Sequence, residues 1–449
     1  MHKNSFLLGK EKISKALWTL SAPAMIGMLA ISLYNLTDTI FIGRGVGTLG
    51  IAGVTIAFPI QMIIMAMAFL VGIGSASIIS RGLGAKNKKL VSSCLGNFFI
   101  LTILISILMT SLGIIFLVPL LKLFGASQSV LPYSVDYMRI VFFGSIFLAF
   151  SAASNNIIRA EGNAKFAMVV MLVGVGLNII LDPIFIFVFN MGIQGAALAT
   201  VIGNFVGAIV SVYYFFSKKS GIKLKLSDFK PNFKIIKELF AVGSSSFARQ
   251  VSMIFISVII NHSLGFYGGD ISIAAFGIVH RALMFSMLPM MGIVQGLQPL
   301  VGFNYGAKNF KRTKEAIILA IKATSVMGFV SFLIIMLFAN PIVNLFSTDL
   351  NLIALGSHAA RIVILLFPLV GFQIIASGAY QAMGKSKPAL LLSLLRQTLI
   401  FIPIVLVLPY FFGLFGVFAA FPISDFISAI ITYFIFSRDL KKIGTKNNS

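Results

Sequence analysis

The sequence predicts an all-α integral membrane protein with twelve transmembrane helices in two parallel six-helix repeats. Three observations predict this fold: the composition, a series of long apolar runs, and an internal repeat. Of the 449 residues, 58% are hydrophobic and only 10% are charged, whereas soluble proteins have about 45–50% apolar and about 25% charged residues. A soluble enzyme is therefore excluded, and a single cysteine excludes a disulfide-stabilised scaffold.

Long uncharged runs alternate with short loops along the whole chain. Each run provides the roughly 20 apolar residues that a membrane-spanning helix needs. The predicted spans are residues 17–42, 51–79, 92–118, 133–158, 166–189, 193–216, 238–262, 271–299, 314–338, 353–380, 388–410 and 414–436. An even number of spans places both ends of the chain on one side of the membrane.

Basic residues are concentrated in alternate loops. Of the 35 Lys and Arg residues, 27 lie at the two termini and in the loops near 81–89, 159–165, 218–237, 308–314 and 385–387, while the opposite loops hold only Arg44 and Lys122. Short basic loops face the cytoplasm in multi-pass proteins. We therefore expect a cell-membrane protein with both termini in the cytoplasm. The net charge of +23 serves to orient the chain, and no binding of nucleic acid is expected.

An internal repeat divides the chain into two halves. Shifting the sequence by 222 residues places GAKN at 84–87 on GAKN at 306–309 and Arg139 on Arg361, and a shift of 221 places Asn204 on Asp425. Parallel repeats of this kind occur among secondary transporters. The predicted divisions are an N-terminal lobe at 1–217, a basic cytoplasmic linker at 218–237, a C-terminal lobe at 238–437 and a cytoplasmic tail at 438–449.

Three acids lie deep inside predicted spans, namely Asp38, Asp182 and Asp425. A charged residue near the middle of a membrane costs about 2.5–3.5 kcal/mol on insertion scales, so such a residue implies a function. The repeat places Asp38 on Ile260 and, after a two-residue local shift, Asp182 on Ile402. The fold therefore does not require the two acids of the N-terminal half.

Asp38 and Asp182 are predicted at similar depth, in the outer halves of the first and fifth spans. Asn178 is four residues before Asp182 and shares its helix face, and Thr200 of the sixth span lies at a comparable level. Their oxygen atoms suit a sodium ion, because hard cations prefer oxygen ligands. Alternatively, two adjacent carboxylates resist joint ionisation and form a proton site. In a third, purely structural interpretation, each acid pairs with an arginine or caps a broken helix.

Two prolines, Pro23 and Pro183, fall within spans and favour kinks, because each removes a backbone hydrogen bond. They indicate either a bending element beside the acids or fixed curvature. In the C-terminal half, we expect Asp425 to pair with one of the arginines at 249, 281 and 396. A second coupling site there is the weaker interpretation.

Neither a GxxxxGK[ST] phosphate-binding loop nor a GxGxxG motif after a strand is present. Nucleophile motifs of hydrolases are also missing, and Asp270 and Asp349 are too isolated to serve a lipid-phosphate transferase. The sequence thus predicts no enzyme and no cofactor. Energy is expected from an ion gradient, unless a partner ATPase exists.

The chain resembles the multidrug and toxic compound extrusion (MATE) family over essentially its whole length, and in particular the bacterial and archaeal branch with a cation site in the N-terminal lobe. The resemblance rests on SAPAMIGMLAISLYNLTDTIFIG at 21–43, SRGLGAKN at 80–87, RAEGNAK at 159–165, GLNIILDPIFIF at 176–187 and GIQGAALAT at 192–200. It implies a V-shaped pair of helix bundles and a drug/cation antiporter. We expect the protein to function as a monomer.

The resemblance also implies roles for individual residues. It implies a cation site made of Asp38, Asn178, Asp182 and Thr200, with a contribution from Tyr137. It further implies that the first helix bends at Pro23 and that Tyr34 and Asn155 lie near a drug chamber in the N-terminal lobe.

One departure concerns the other branches of the family, which place acids in helices 7 and 10. Here helix 7 has Arg249-Gln250 and helix 10 has Gln373, which disfavours a cation site in the C-terminal lobe. Proton coupling is our first expectation and sodium coupling the second.

The expected function is export of organic, cationic and amphipathic compounds, driven by a proton or sodium gradient. The alternative is a flippase for lipid-linked saccharides from the same wider superfamily. Such proteins carry cationic cavities, for which Arg249, Arg281 and Arg396 are candidates.

Overall fold

The computed structural model describes residues 3–445, and it is helical almost throughout, without a strand in that part of the chain. Helices dominate because a chain in lipid must satisfy every backbone N–H and C=O internally. Eight helices are long and apolar enough to cross a membrane, and two further pairs do so as bent helices. Two of the eight are each interrupted by a non-helical glycine, at Gly269 and Gly413. Twelve spans result, as predicted.

We number the spans α1 to α12. In chain order they are α1 Ile13–Gly45, α2 Thr48–Gly84, α3 Lys88–Ile115, α4 Leu131–Phe143 with Ser145–Ala160, α5 Ala164–Pro183 with the π-helix Ile184–Val188, α6 Gly192–Phe216, α7 233–268, α8 270–306, α9 Phe310–Asn344, α10 Leu350–Ile364 with Phe367–Ala382, α11 386–412 and α12 414–445.

Most helices extend beyond the predicted runs, because polar residues continue them at both ends. Helix α7 begins at Phe233, inside the expected linker, because the Asn232 side chain accepts hydrogen bonds from the backbone N–H groups of Lys234 and Ile235. Helix α12 continues to Thr445, through most of the expected tail. Residues 446–449 lie outside the described part of the chain.

The repeat is visible in the backbone. Lys86 and Lys308, which are 222 positions apart, both adopt positive φ, at 57° and 59°. Helices α4 and α10 bend at equivalent points, by 59° and 50°. The turns at Gly47 and Gly269 also correspond, with φ of 89° and 66°, a conformation that glycine adopts without steric cost. The two halves therefore have the same fold as well as related sequences.

The two bundles meet around a pseudo-twofold axis. A Cβ atom on Gly84 would overlap the carbonyl oxygen of Phe303, and a Cβ atom on Gly306 would overlap that of Arg81. Each of these contacts becomes the other under the 222-residue shift. We call the end of the bundles that carries the basic loops the basic end. The helix termini at Gly84 and Gly306 lie there, so the bundles join at the base of a V.

Candidate functional site

The structure brings Asp38 and Asp182 together in the N-terminal lobe. Asp38 lies on α1 and Asp182 lies near the end of α5. The exposed fraction of the residue is 7% for Asp38 and 0% for Asp182. Their carboxyl groups lie within hydrogen-bonding reach of each other. Two ionised carboxylates so close together repel each other unless a proton or a cation lies between them. The pair is therefore a candidate site for a positive charge.

Asn178 and Thr200 extend the acid pair into a polar cluster. Asn178 is one helical turn before Asp182. In the orientation of the Asn178 amide that gives both its nitrogen and its oxygen a hydrogen-bond partner, the nitrogen donates to Asp182 Oδ2 at 2.9 Å. Its oxygen then accepts from the backbone N–H and the hydroxyl of Thr200, each at 3.1 Å. Helices α5 and α6 are thus joined beside the acids, at the common depth that the sequence predicted.

Two tyrosines border the cluster. The Tyr34 hydroxyl, one turn before Asp38 on α1, is 3.4 Å from the Thr200 hydroxyl. The Tyr137 hydroxyl from α4 approaches Thr200 and the amide of Gln61 on α2, and Tyr137 is 2% exposed. Gln61 was not predicted, because a neutral amide in an apolar run gives little signal in the sequence.

Unpaired oxygen atoms remain in the site. Asp38 Oδ1 and Asp182 Oδ1 are buried and have no hydrogen-bond partner in the described structure. No basic side chain of residues 3–445 lies within ion-pair distance of either carboxylate. The interpretation in which an arginine neutralises each acid is therefore wrong. Buried polar atoms normally have partners, so these two oxygens are available to a proton or a cation.

The two prolines have different surroundings. Helix α1 is continuous from Ile13 to Gly45 and passes through Pro23 without a break. Pro183 directly follows Asp182 and is the last residue before the helix widens into the π-helix Ile184–Val188. Such π segments often occur at functional sites. The irregular backbone beside the acids is therefore in α5, and Pro23 lies about four turns from Asp38.

Asn155 is not part of the cluster. Its side chain, 5% exposed, donates to the Ala167 carbonyl oxygen at 2.7 Å and accepts from the guanidinium of Arg159. These partners lie near the basic end of α4 and α5, whereas Asp38 and Asp182 lie near the opposite end of their helices. The structure thus places Asn155 and Tyr34 at different depths of the N-terminal lobe.

The buried acid of the C-terminal lobe has a partner. Arg396 Nε lies 2.6 Å from Asp425 Oδ1, so the predicted pairing is confirmed. Gln373 donates to the Asp425 carbonyl oxygen at 3.0 Å and accepts from Ser428 at 2.8 Å. The side chain of Asp425 is therefore compensated within the lobe, in contrast to Asp38 and Asp182.

No group of three His, Cys, Asp or Glu side chains suited to a metal ion occurs within residues 3–445. The acid pair is supplemented by amide and hydroxyl groups only. Such a set of oxygen atoms suits a proton or a hard monovalent cation better than a transition metal.

Comparison with known proteins agrees with this architecture. The MatE family model matches the chain twice, at residues 23–184 and 246–407, one match in each lobe. The multidrug export protein MepA of Staphylococcus haemolyticus is 31% identical over 431 residues, which cover 96% of this chain and 94% of MepA.

Solved structures are similar over the whole chain. The MATE multidrug transporter DinF-BH, solved in complex with rhodamine 6G, is 45% identical with a TM-score of 0.90, and the alignment covers 96% of this chain and 97% of that one. A MATE structure in the bent conformation has a TM-score of 0.94 at 28% identity and full coverage of both chains. The twelve spans, the repeat and these matches show that the chain belongs to the MatE family of multidrug efflux transporters, which are membrane transporters and not enzymes.

Proposed function

We propose that this protein is a secondary active multidrug exporter that exchanges organic compounds for a cation bound between Asp38 and Asp182. The main support is the contact between two buried carboxyl groups, each with an oxygen that has no partner. A site of this kind binds a positive charge strongly in its low-dielectric surroundings. Without a bound cation or proton, the two ionised carboxylates would repel each other and destabilise this part of the protein.

Proton coupling is the first choice. A single proton shared by two carboxyl groups removes their repulsion without any further ligand. Sodium is the second choice, because Asn178, Thr200 and Tyr137 add oxygen atoms around the pair, and Na⁺ requires several oxygen ligands. The coupling step does not require a cofactor.

Coupling between ion and cargo follows from the position of Tyr34. This residue is half-buried and lies one turn from Asp38 on α1. A cation that enters from the end opposite the basic loops draws the two carboxylates together, and α1 moves with Asp38. Bending at Pro23 and the π segment after Pro183 accommodate this movement. The chamber beside Tyr34 then contracts and the cargo leaves.

The proposed cargo is organic, cationic and amphipathic. The basis is the relatives: MepA is named a multidrug export protein, and DinF-BH was solved with rhodamine 6G. Tyr34 and Asn155 are the chamber candidates in this chain, and its partners are drug-like small molecules and lipid.

We propose a monomer in the cell membrane with the basic end and both termini in the cytoplasm. We also propose lobes at 1–217 and 238–437, with 218–237 as the linker and 438–449 as the tail.

The flippase alternative relies on a cationic cavity in the C-terminal lobe. Arg396, one of its three arginines, pairs with Asp425 at 2.6 Å, and this pairing removes its free charge. Arg281 is exposed, and Arg249 is partly exposed. The export hypothesis is favoured over the flippase because Arg396 is neutralised and the relative MepA is named a multidrug export protein.

Reconstituted vesicles test the proposed function. The purified protein is placed in liposomes, and the movement of rhodamine 6G or ethidium is followed while either a proton or a sodium gradient is imposed alone. We expect drug movement opposite to the proton gradient, at a rate at least tenfold above that of protein-free vesicles. Liposomes containing the doubly substituted Asp38→Asn, Asp182→Asn protein are the control.

Drug movement under the sodium gradient alone would show that sodium, and not the proton, is the coupling ion. The proposal that drug is exchanged for a cation would still hold. Equal, gradient-independent drug movement in both preparations would overturn the proposal that the protein is an antiporter.

A further inference from the structure

A small cavity lies on the pseudo-twofold axis, at the basic end, between the two bundles. Ten of its twelve lining residues form five pairs that are 222 positions apart, including Arg159 with Gln381. The centre of a water-sized sphere can move within about 10 Å³ of the cavity, which leaves room for one small occupant. The cavity is distant from Asp38 and Asp182, which lie near the opposite end of their helices.

Arg159 gives this cavity a positive charge. The residue is only 7% exposed. Its guanidinium donates to the side-chain oxygens of Asn155 and Asn156, the latter at 2.9 Å. A guanidinium has five N–H donors, so further donors remain for an occupant of the cavity that Arg159 lines.

No carboxylate compensates this charge. Within residues 3–445, Arg159 has no acidic group within ion-pair distance. Glu161, two residues along, instead accepts from the Ser220 hydroxyl at 3.0 Å and the Gly221 N–H at 2.8 Å. Burial raises the pKa of Glu161 to about 7, so it carries only part of a negative charge at neutral pH. The carboxyl-terminal end of α4 adds about half of one negative elementary charge. Arg159 is thus compensated only in part, and by no group in ion-pair contact with it.

The residue equivalent to Arg159 in the C-terminal lobe is Gln381, and the hydrogen bonds of its side chain are made within the protein. Gln381 is neutral, and its side chain accepts from Gln298 at 2.9 Å and donates to Ser245 and Ser246. Its carbonyl oxygen accepts from the Ser77 hydroxyl at 2.5 Å, which joins the two bundles at the cavity wall. The charge on the axis is therefore a property of the N-terminal lobe alone.

We propose that this axial cavity binds a small monovalent anion of the size of chloride, held by Arg159. A buried cation without a counter-ion is costly, and an anion in the adjacent cavity removes that cost. Because the cavity walls come from both bundles, the bound anion stabilises the state in which the basic end is closed.

Bromide diffraction tests the location. Crystals of the wild-type protein and of the Arg159→Gln variant, which copies the residue of the C-terminal lobe, are soaked in bromide. We expect an anomalous peak within hydrogen-bonding distance of the Arg159 guanidinium, and none at this place in the variant. A wild-type cavity without bromide would overturn the proposal, since it would hold water only, and this result does not depend on how the variant folds.

Thermal unfolding in detergent provides an independent measurement. Chloride is titrated at constant ionic strength against gluconate, a much larger organic anion. We expect the Tm of the wild type to rise with chloride and then saturate, as ligand binding to the folded state requires. The Arg159→Gln variant should show no such rise, and Arg139→Gln, which removes an exposed arginine of the same span, should behave as wild type. The same chloride response in all three proteins would contradict an anion site at Arg159.

Discussion

Replacing either Asp38 or Asp182 by asparagine is expected to abolish drug export, with at least a tenfold loss of resistance in cells that lack other pumps. Asparagine keeps the size of the side chain and can still form hydrogen bonds. It cannot exchange a proton at neutral pH, and it leaves one carboxylate where a cation site needs two. Both carboxyl groups are buried and in mutual contact. Loss of either one therefore removes the coupling step.

The measurement is the growth of cells on rhodamine 6G or ethidium, with the amount of protein in the membrane determined in parallel. Asp270→Asn is the matched control, because Asp270 is an exposed acid and the same chemical change there should leave export intact. Wild-type resistance in both Asp38→Asn and Asp182→Asn cells would eliminate the proposed coupling site.

Substituting Gly306 by valine is expected to have the second largest effect, because it acts where the two bundles are closest. A Cβ atom at this position would overlap the carbonyl oxygen of Arg81 on α2. The obstacle is backbone and not the end of a flexible side chain, so only separation of α2 from α8 relieves it. Overpacking typically costs about 1–3 kcal/mol, and more where nothing can yield. We expect export to fall at least tenfold.

Gly277→Val in the same helix is the control, because, apart from the adjoining backbone of that helix, no atom lies within 4 Å of the position that its Cβ would take. Export and the amount of folded protein, measured by size-exclusion chromatography, are compared for both variants. The Gly277 variant should resemble the wild type. If the Gly306 variant exported drug at the wild-type rate, the close packing of α2 and α8 at the basic end would not be required for the transport cycle.

The number and positions of the spans could be predicted from the sequence because the physics of lipid is restrictive. Each run had to be long enough to cross the bilayer and had to form its hydrogen bonds internally. The bends could not be predicted in the same way. The 59° bend of α4 lies at Gly144-Ser145. Such a pair permits a kink, but the sequence does not give its angle or direction.

The candidate site could be predicted in part. Asp38 and Asp182 were conspicuous because a charge in an apolar run is costly, and helix periodicity linked Asn178 to Asp182. Gln61 is neutral and joins the cluster only through packing of α2 against α4, which a one-dimensional pattern does not contain. The partner of Asp425 could be narrowed to three arginines, and tertiary structure was needed to identify Arg396.

The axial cavity illustrates a further limit of sequence analysis. The repeat was evident in the sequence, and Arg159 was already aligned with Gln381 by the 222-residue shift. What the sequence did not contain is that the two positions face one another across the axis. This arrangement depends on how the bundles dock through α2 and α8.

Competition between cation and drug on the purified protein tests the exchange most directly. The affinity for rhodamine 6G is measured by fluorescence anisotropy over a range of pH and sodium concentrations, for the wild type and for Asp38→Asn, Asp182→Asn. Because coupling between two ligands is reciprocal, we predict that the wild type loses affinity for the dye as the cation concentration rises, and that the variant binds the dye independently of it. An identical cation dependence in both proteins would show that the aspartate pair does not link the ion to its cargo.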